Sequence, residues 1–290
     1  MSTDPAVELP RADICVTAIA DTFRGDGERL CNPIGNVPLI GGRLARLSFE
    51  PDLAITDGFY ATLANTPPLG STDRVVEYHN PYRSMFDLLW QGKRHVMMGA
   101  TQVDRFGNQN IACIGDWHQP RAQLLGFRGA PGNTINHTTS YWIPNHNPKV
   151  FVEEVDVVCG IGYDRAAQLG ERAARFHEIR RVVSNLGVFD FETADHSMRL
   201  ASVHPGVAVE DVVENTGFQL VIPDVVPETR PPSDEDLRII REVLDAEIAG
   251  LRRMGADVRC EAAIDGEAAL KETRDSFDAV CITAGPMEDG

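Results

Sequence analysis

Short apolar, β-branched runs alternate with helical stretches through most of this chain, and that alternation admits few architectures besides an open α/β sheet covered by helices. Residues 29–31, 53–55, 96–98, 149–159 (KVFVEEVDVVC), 181–183, 188–191 and 219–222 each have the composition of a strand. Between them, residues 11–23 place Ile14, Ala18 and Ile19 on one helical face ahead of a Gly25-Asp26-Gly27 break. Val37, Ile40, Leu44 and Leu47 share a face behind Pro38, which suits a first helical turn. Ser84 fits as the cap of a helix over residues 85–91, and residues 164–180 and 209–215 read as further helices. Ser233, with Asp236 three residues on, forms a capping box for a helix carrying Leu237, Ile240 and Val243. The expected fold is an α/β protein with an open, mostly parallel sheet flanked by helices. In such sheets ligands bind in loops beyond the carboxyl ends of the strands.

Two glycine-bearing turns are expected at those ends, Thr56-Asp57-Gly58 and residues 126–133 (GFRGAPGN). Glycine lets the backbone approach a ligand and turn several N–H groups toward it, and Pro131 stiffens the second turn. Gln102, Asp104, Asn108 and Asn110 fit either a pocket wall or a hairpin closed by RFGN, and the hairpin is favoured. The net charge of −16, from 43 acids and 27 bases, argues against a nucleic-acid partner and requires local devices to hold an anionic ligand. Six cysteines without CxxC spacing read as reduced, mostly buried thiols. His137 and His146 flank an aromatic-polar stretch but lack metal-site spacing. No apolar run reaches membrane-spanning length, and the first dozen residues lack a secretion signal, so a cytoplasmic protein with no membrane partner is expected.

NPIGNVP (32–38), LAITDG (53–58), GATQVDRFGNQN (99–110), VVSNLGVFDFE (182–192) and PGVAVEDVVENTGF (205–218) follow one another in the order of a known family. Together they resemble the beta subunit of class I coenzyme A transferases, with the greatest likeness to the branch serving steroid ring-cleaving CoA hydrolases of cholesterol degradation. The likeness spans residues 11–245. It implies an alpha partner in an α2β2 hetero-oligomer, an acyl-CoA substrate, and no permanently bound cofactor, coenzyme A entering only as part of the substrate. Class I transferases use a glutamate in a Ser-Glu-Asn-Gly segment as nucleophile. Here Thr56 stands at the glutamate and Asp57 at the asparagine. Asp57 is one methylene short for that attack, and an Asx-type turn is its other reading. The ring-cleaving branch is expected to take its catalytic glutamate from the alpha partner. The resemblance then leaves Asn36, Thr56, Asp57, Gly58, Gly129, Ala130, Gly132 and Asn133 to line the substrate, with backbone N–H groups of residues 129–133 as oxyanion donors. Arg105 and Arg128 are candidates for the CoA phosphates. A true CoA transferase and a non-catalytic scaffolding subunit are the rival readings.

Residues 1–10 read as a lead-in and residues 11–245 as the CoA-transferase-like domain. Residues 246–290 read as a short βα-type appendage. This tail resembles a fragment of the flavin and pyridine-nucleotide oxidoreductases related to the small subunit of glutamate synthase. Thr283-Ala284-Gly285 departs from that family's order, and no GxGxxG loop precedes it to hold a pyrophosphate. No redox role is assigned to the tail.

Overall fold

The computed structural model describes residues 9–57, 61–91 and 93–253. The chain opens with α1 (Arg11–Asp21), β1 (Leu30–Pro33), α2 (Asn36–Ser48), β2 (Ile55–Thr56), β3 (Ala61–Leu63), β4 (Val76–His79) and α3 (Tyr82–Asp87). There follow β5 (Arg94–Gly99), β6 (Gln102–Val103), β7 (Gln109–Asn110), β8 (Cys113–Ile114), β9 (Ala122–Gln123), α4 (Ala130–Asn136) and β10 (Thr138–Ile143). The last third holds α5 (Tyr163–Leu169), α6 (Glu171–Ala174), β11 (Glu178–Ser184), β12 (Gly187–Asp190), β13 (Arg199–Val203), α7 (Val209–Glu214) and α8 (Asp234–Arg253).

Six strands form the central sheet in the order β1-β5-β10-β11-β12-β13. The first four are parallel and the last two antiparallel. One face is covered by α1, α2 and α8 around Ile19, Phe23, Leu44, Met97 and Ile240. Helices α1 and α2 pack so closely that a Cβ on Gly41 would fall 2.4 Å from Ile19 Cγ2. The other face carries Val96, Tyr141, Phe151, Ile179 and Phe189. Across it lies the β6–β7 hairpin, whose Gln109 Nε2 donates to the Gly99 carbonyl and whose Gly107 carbonyl accepts from Tyr141 Oη. Both edges of the six-stranded sheet are flanked by further backbone, the start of the β2-β3-β4 sheet at β1 and a loop at β13. Cys31 N–H donates to the Ala54 carbonyl beside β1, while Leu200 and Val203 N–H groups donate to the Val221 and Pro227 carbonyls beside β13.

Some expected elements take another form. Pro81, not Ser84, precedes the helix at residues 82–87. The helix expected over 164–180 breaks at Gly170, whose φ of +79° suits glycine, and residues 178–180 open β11. Residues 149–159 form no named strand; Val150 and Val152 pair with Val103 and Cys159 N–H donates to the Gln109 carbonyl, so the segment lies along the hairpin instead of joining the central sheet. Residues 219–222 contribute one bridge, Val221 to Arg199. Leu47 is exposed at the end of the α2 stripe. The capping box forms as expected: Asp236 N–H donates to Ser233 Oγ, and Ser233 N–H to Asp236 Oδ2. Cys15, Cys31, Cys113 and Cys159 are buried free thiols, and Cys260 and Cys281 lie outside the described residues. Helix α8 runs unbroken through Asp245 to Arg253, and residues 254–290 with their oxidoreductase-like segment also lie outside them. Among the described residues no helix is long and apolar enough to cross a membrane.

Two core histidines make the fold acid-sensitive. His146 stacks on Phe151 with ring centroids 3.6 Å apart and bonds Ser184 Oγ and Thr216 Oγ1, so it is a structural residue. His204 bridges the Ser184 carbonyl and Thr229 Oγ1. Burial pushes His146 down to about 3 and His204 down to about 4. Between those values and the ordinary 6.5 the unfolded chain binds more protons than the folded one, so stability is full above pH 6.5 and falls as pH drops below it. Each histidine should remove about 2 kcal/mol between pH 7 and pH 5. A thermal unfolding midpoint, followed by circular dichroism, that stays constant over that interval would contradict this.

Candidate active site

The amino-acid order around β2 decides what its terminal carboxylate can do. Strand β2 lies beside β1 through the Leu30–Ala54 bridge and ends at buried Thr56, where the chain turns back into β3. Asp57 holds that turn. Its N–H donates to the Ala61 carbonyl at 2.9 Å, and its Oδ1 accepts from Ala61 N–H at 3.1 Å. Its Oδ2 is 2.9 Å from Arg74 Nη1, with the Asp57 side chain only 6% exposed. This is the turn-forming role, and it leaves the carboxylate committed on both oxygens. Gly58 lies outside the described residues.

Beyond β1, Gly35 precedes α2, and Asn36 is exposed on its first turn. The strand before the glycine-rich turn is β9, which belongs to a two-stranded ribbon with β8 and not to the central sheet. The turn itself leads into α4, which runs through His137 directly into β10. A seven-residue helix is about 10 Å long, and Asn133 Nδ2 reaches Met98 Sδ near the end of β5. The first turn of α4 is therefore directed toward the carboxyl ends of the strands, the side on which Thr56 and Asn36 lie. Gly129 and Gly132 are packed beneath Leu89, where a Cβ would approach its side chain to 3.4 and 3.2 Å.

Not all the backbone N–H groups of residues 129–133 are available there. Ala130 N–H donates to the Phe127 carbonyl and Asn133 N–H to the Gly129 carbonyl, while Pro131 has no N–H. Among the described residues the N–H groups of Gly129 and Gly132 have no backbone acceptor. The Asn133 side chain also differs from expectation. It is 5% exposed, and its Oδ1 accepts from Arg94 Nη1 at 3.2 Å. Arg94 Nη2 bonds Asn32 Oδ1. Burial pushes this guanidinium down to about 10, which still leaves it charged at neutral pH. An arginine opening an apolar strand reads as a surface residue, so sequence patterning gives no sign of this Asn32–Arg94–Asn133 chain.

The two expected CoA-binding arginines lie apart. Arg128 is exposed just before α4 in the left-handed conformation, φ +47°. Arg105 sits at the tip of the β6–β7 hairpin, its guanidinium 4.5 Å over the Phe106 ring and its carbonyl accepting from Met198 N–H beside β13. That is the sheet edge opposite β1, so Arg105 is parted from Thr56 and Asn36. The hairpin reading of Gln102, Asp104, Asn108 and Asn110 is the one observed. Asp104 Oδ1 accepts from the Phe106 and Asn108 N–H groups, and Gln102 bonds Asn110 and Asp156. Burial raises Asp104 to about 6 against those bonds.

The open α/β sheet thus places the glycine-rich turn and the β2 turn toward the same, carboxyl, ends of its parallel strands. The coenzyme A transferase family model matches residues 80–215. The chain is 50% identical over 243 residues to the cholesterol ring-cleaving hydrolase IpdB subunit of Rhodococcus jostii RHA1, covering 84% of this chain and 95% of that protein. It is 51% identical over 237 residues to the IpdB subunit of Mycobacterium tuberculosis H37Rv, covering 81% and 94%. The crystal structure of Rhodococcus jostii RHA1 IpdAB matches with a TM-score of 0.79 and 49% identity, over 87% of this chain and all of that one. The chain belongs to the coenzyme A transferase family.

Asp57→Asn keeps an acceptor for Ala61 and gives up the Arg74 ion pair, so it should cost under about 1 kcal/mol. Asp57→Ala loses both and should cost about 1–3 kcal/mol. Urea unfolding of the two variants checks this, and equal losses would contradict the turn-holding role.

Proposed function

We propose that this chain is the beta subunit of an α2β2 enzyme that hydrolytically opens the last steroid ring of a cholesterol-derived acyl-CoA, with the catalytic glutamate on the alpha partner. One observation carries the proposal. Thr56 stands where class I transferases hold their nucleophilic glutamate, and the adjacent Asp57 carboxylate is bound by Ala61 N–H and Arg74. A transferase reading needs a free carboxylate at that turn, and these bonds oppose it. Half-identity to ring-cleaving hydrolase subunits over nearly their full length supports the same choice.

In the reaction, the partner's carboxylate takes a proton from water, and the oxygen adds to the ring ketone. The resulting alkoxide collapses, the neighbouring carbon–carbon bond breaks, and its electron pair leaves as an enolate that is then protonated. Negative charge thus develops on two oxygens, and fixed N–H donors stabilise it without reorganising. On this chain the Gly129 and Gly132 N–H groups are the donors for that charge. Asn36, the Thr56 hydroxyl and the backbone of Asp57 and Ala130 line the substrate. The buried Asn133 side chain is bonded to Arg94 and is not retained as a substrate-lining group. Coenzyme A enters as part of the substrate, in the cytoplasm, and no resident cofactor takes part.

Arg128 is the arginine retained for the CoA phosphates, and Arg105 drops out. A non-glycine residue in the left-handed region costs roughly 1 kcal/mol, and such strain is kept where a side chain is useful. Arg128→Gly should leave stability unchanged or slightly higher while raising KM for the acyl-CoA roughly tenfold, the loss of one charge-assisted contact. An unchanged KM would remove Arg128 from the site.

The purified chain alone should show no ring opening, and turnover should appear on adding the alpha partner. Mass spectrometry of product from the lone chain and from the complex tests this. Robust opening by the lone chain would overturn the division of labour.

A further inference from the structure

A cleft of about 520 Å³ opens at the amino ends of β1, β5, β10 and β11, the opposite ends of the strands from Thr56. It is lined by Arg29, Lys93, Arg94, His137, Arg175 and His177, with Glu178 as the one carboxylate. In a chain of net charge −16 this is a concentration of positive charge. Glu178 does little to offset it, since Oε1 accepts from Arg180 Nε at 2.8 Å and Oε2 from Thr138 Oγ1 at 2.6 Å. Arg29 is partly neutralised by Asp26 at 3.4 Å.

Arg94 is different. It is 5% exposed, its partners are the amide oxygens of Asn32 and Asn133, and its Nε has no protein acceptor. No carboxylate among the described residues forms an ion pair with it. A buried charge without a counter-charge is among the costliest features a fold can hold. His137, 3% exposed, has both ring nitrogens without a hydrogen-bond partner. Burial and the neighbouring Arg94 push it down to about 4, so the ring is neutral and carries one unused N–H. The carbonyls of Leu88 and Leu89 lie near it, short of hydrogen-bond geometry. His177 donates through Nδ1 to the Thr134 carbonyl, which leaves buried Nε2 unpartnered.

We propose that this cleft binds a phosphate oxyanion, with Arg94 and His137 at its floor, Arg29 on its wall, and Lys93 and Arg175 at its exposed mouth. Guanidinium groups match the spacing of phosphate oxygens, and a planar fork with a spare Nε–H is the donor such an anion needs. The volume exceeds that of phosphate alone, and Phe176, 56% exposed at the rim, offers an apolar surface to the organic part of a phosphate monoester. The inference goes beyond the ring-opening reading and does not depend on it.

Titration calorimetry of inorganic phosphate into the full chain, and into its complex with the alpha partner, in low-salt buffer tests the site. One saturable event is expected, with a rise in unfolding midpoint that sodium chloride of equal ionic strength does not reproduce. The double variant K93A/R175A changes only exposed mouth residues and should bind phosphate at least roughly tenfold more weakly. Arg94→Gln should abolish binding, with its folding checked by circular dichroism. Absence of a saturable event, or a double variant that binds as tightly as the wild type, would overturn the proposal. Competition then identifies the carrier. Displacement by coenzyme A but not by dephospho-coenzyme A assigns the 3′-phosphate of the substrate, and displacement by neither assigns free phosphate.

Discussion

The parallel half of the sheet is tied together by one buried carboxylate. Asp26, in the turn after α1, accepts from His95 Nδ1 on β5 at 2.6 Å and from Arg180 Nη1 on β11 at 2.8 Å, and lies 3.4 Å from Arg29 ahead of β1. His95 completes the set through Nε2 to Ser140 on β10. Burial works against the Asp26 charge, but the bond from His95 and the Arg180 guanidinium outweigh it and hold the carboxyl below its usual range. Burial likewise keeps His95 neutral against the pull of Asp26. A neutral imidazole donating from Nδ1 and accepting at Nε2 fits both partners. All four parallel strands are thereby held in register at their amino ends, which leaves the loops at the opposite ends free to specialise.

That specialisation is visible in how the site spends its polar groups. Asp57 closes a turn, Asn133 steadies Arg94, and Ala130 and Asn133 N–H groups serve the backbone. Among the described residues, the N–H groups of Gly129 and Gly132 remain without a backbone acceptor, and the Asp57 carboxylate at the β2 turn is engaged. These bonds are why the proposed ring opening assigns the proton transfers to the alpha partner and only the completion of the pocket to this chain.

Features governed by neighbours in sequence are legible in the sequence alone. The Ser233–Asp236 box, the RFGN hairpin and the α1 stripe each rest on contacts within a few residues. Composition misled where burial came from long-range packing. Residues 149–159 are β-branched because they cover the hairpin beside Val103, a half-buried surface that looks the same in sequence as a sheet strand. The apolar spacing of residues 164–180 continues past Gly170, where the positive backbone torsion ends the helix. The site was legible as a set of loops but not as a set of partners. Nothing local to Arg94 announces that Asn32 and Asn133, 62 and 39 residues away, converge on it.

The loop segments lying along β1 and β13 have a consequence for assembly. With Ala54 bonded at one margin and Val221 and Pro227 at the other, neither outer strand offers a row of unpaired amides to a second polypeptide. Among the described residues, a second polypeptide therefore cannot add a strand directly to β1 or β13. At these two margins contact with another chain must be made by side chains instead of a shared backbone ladder.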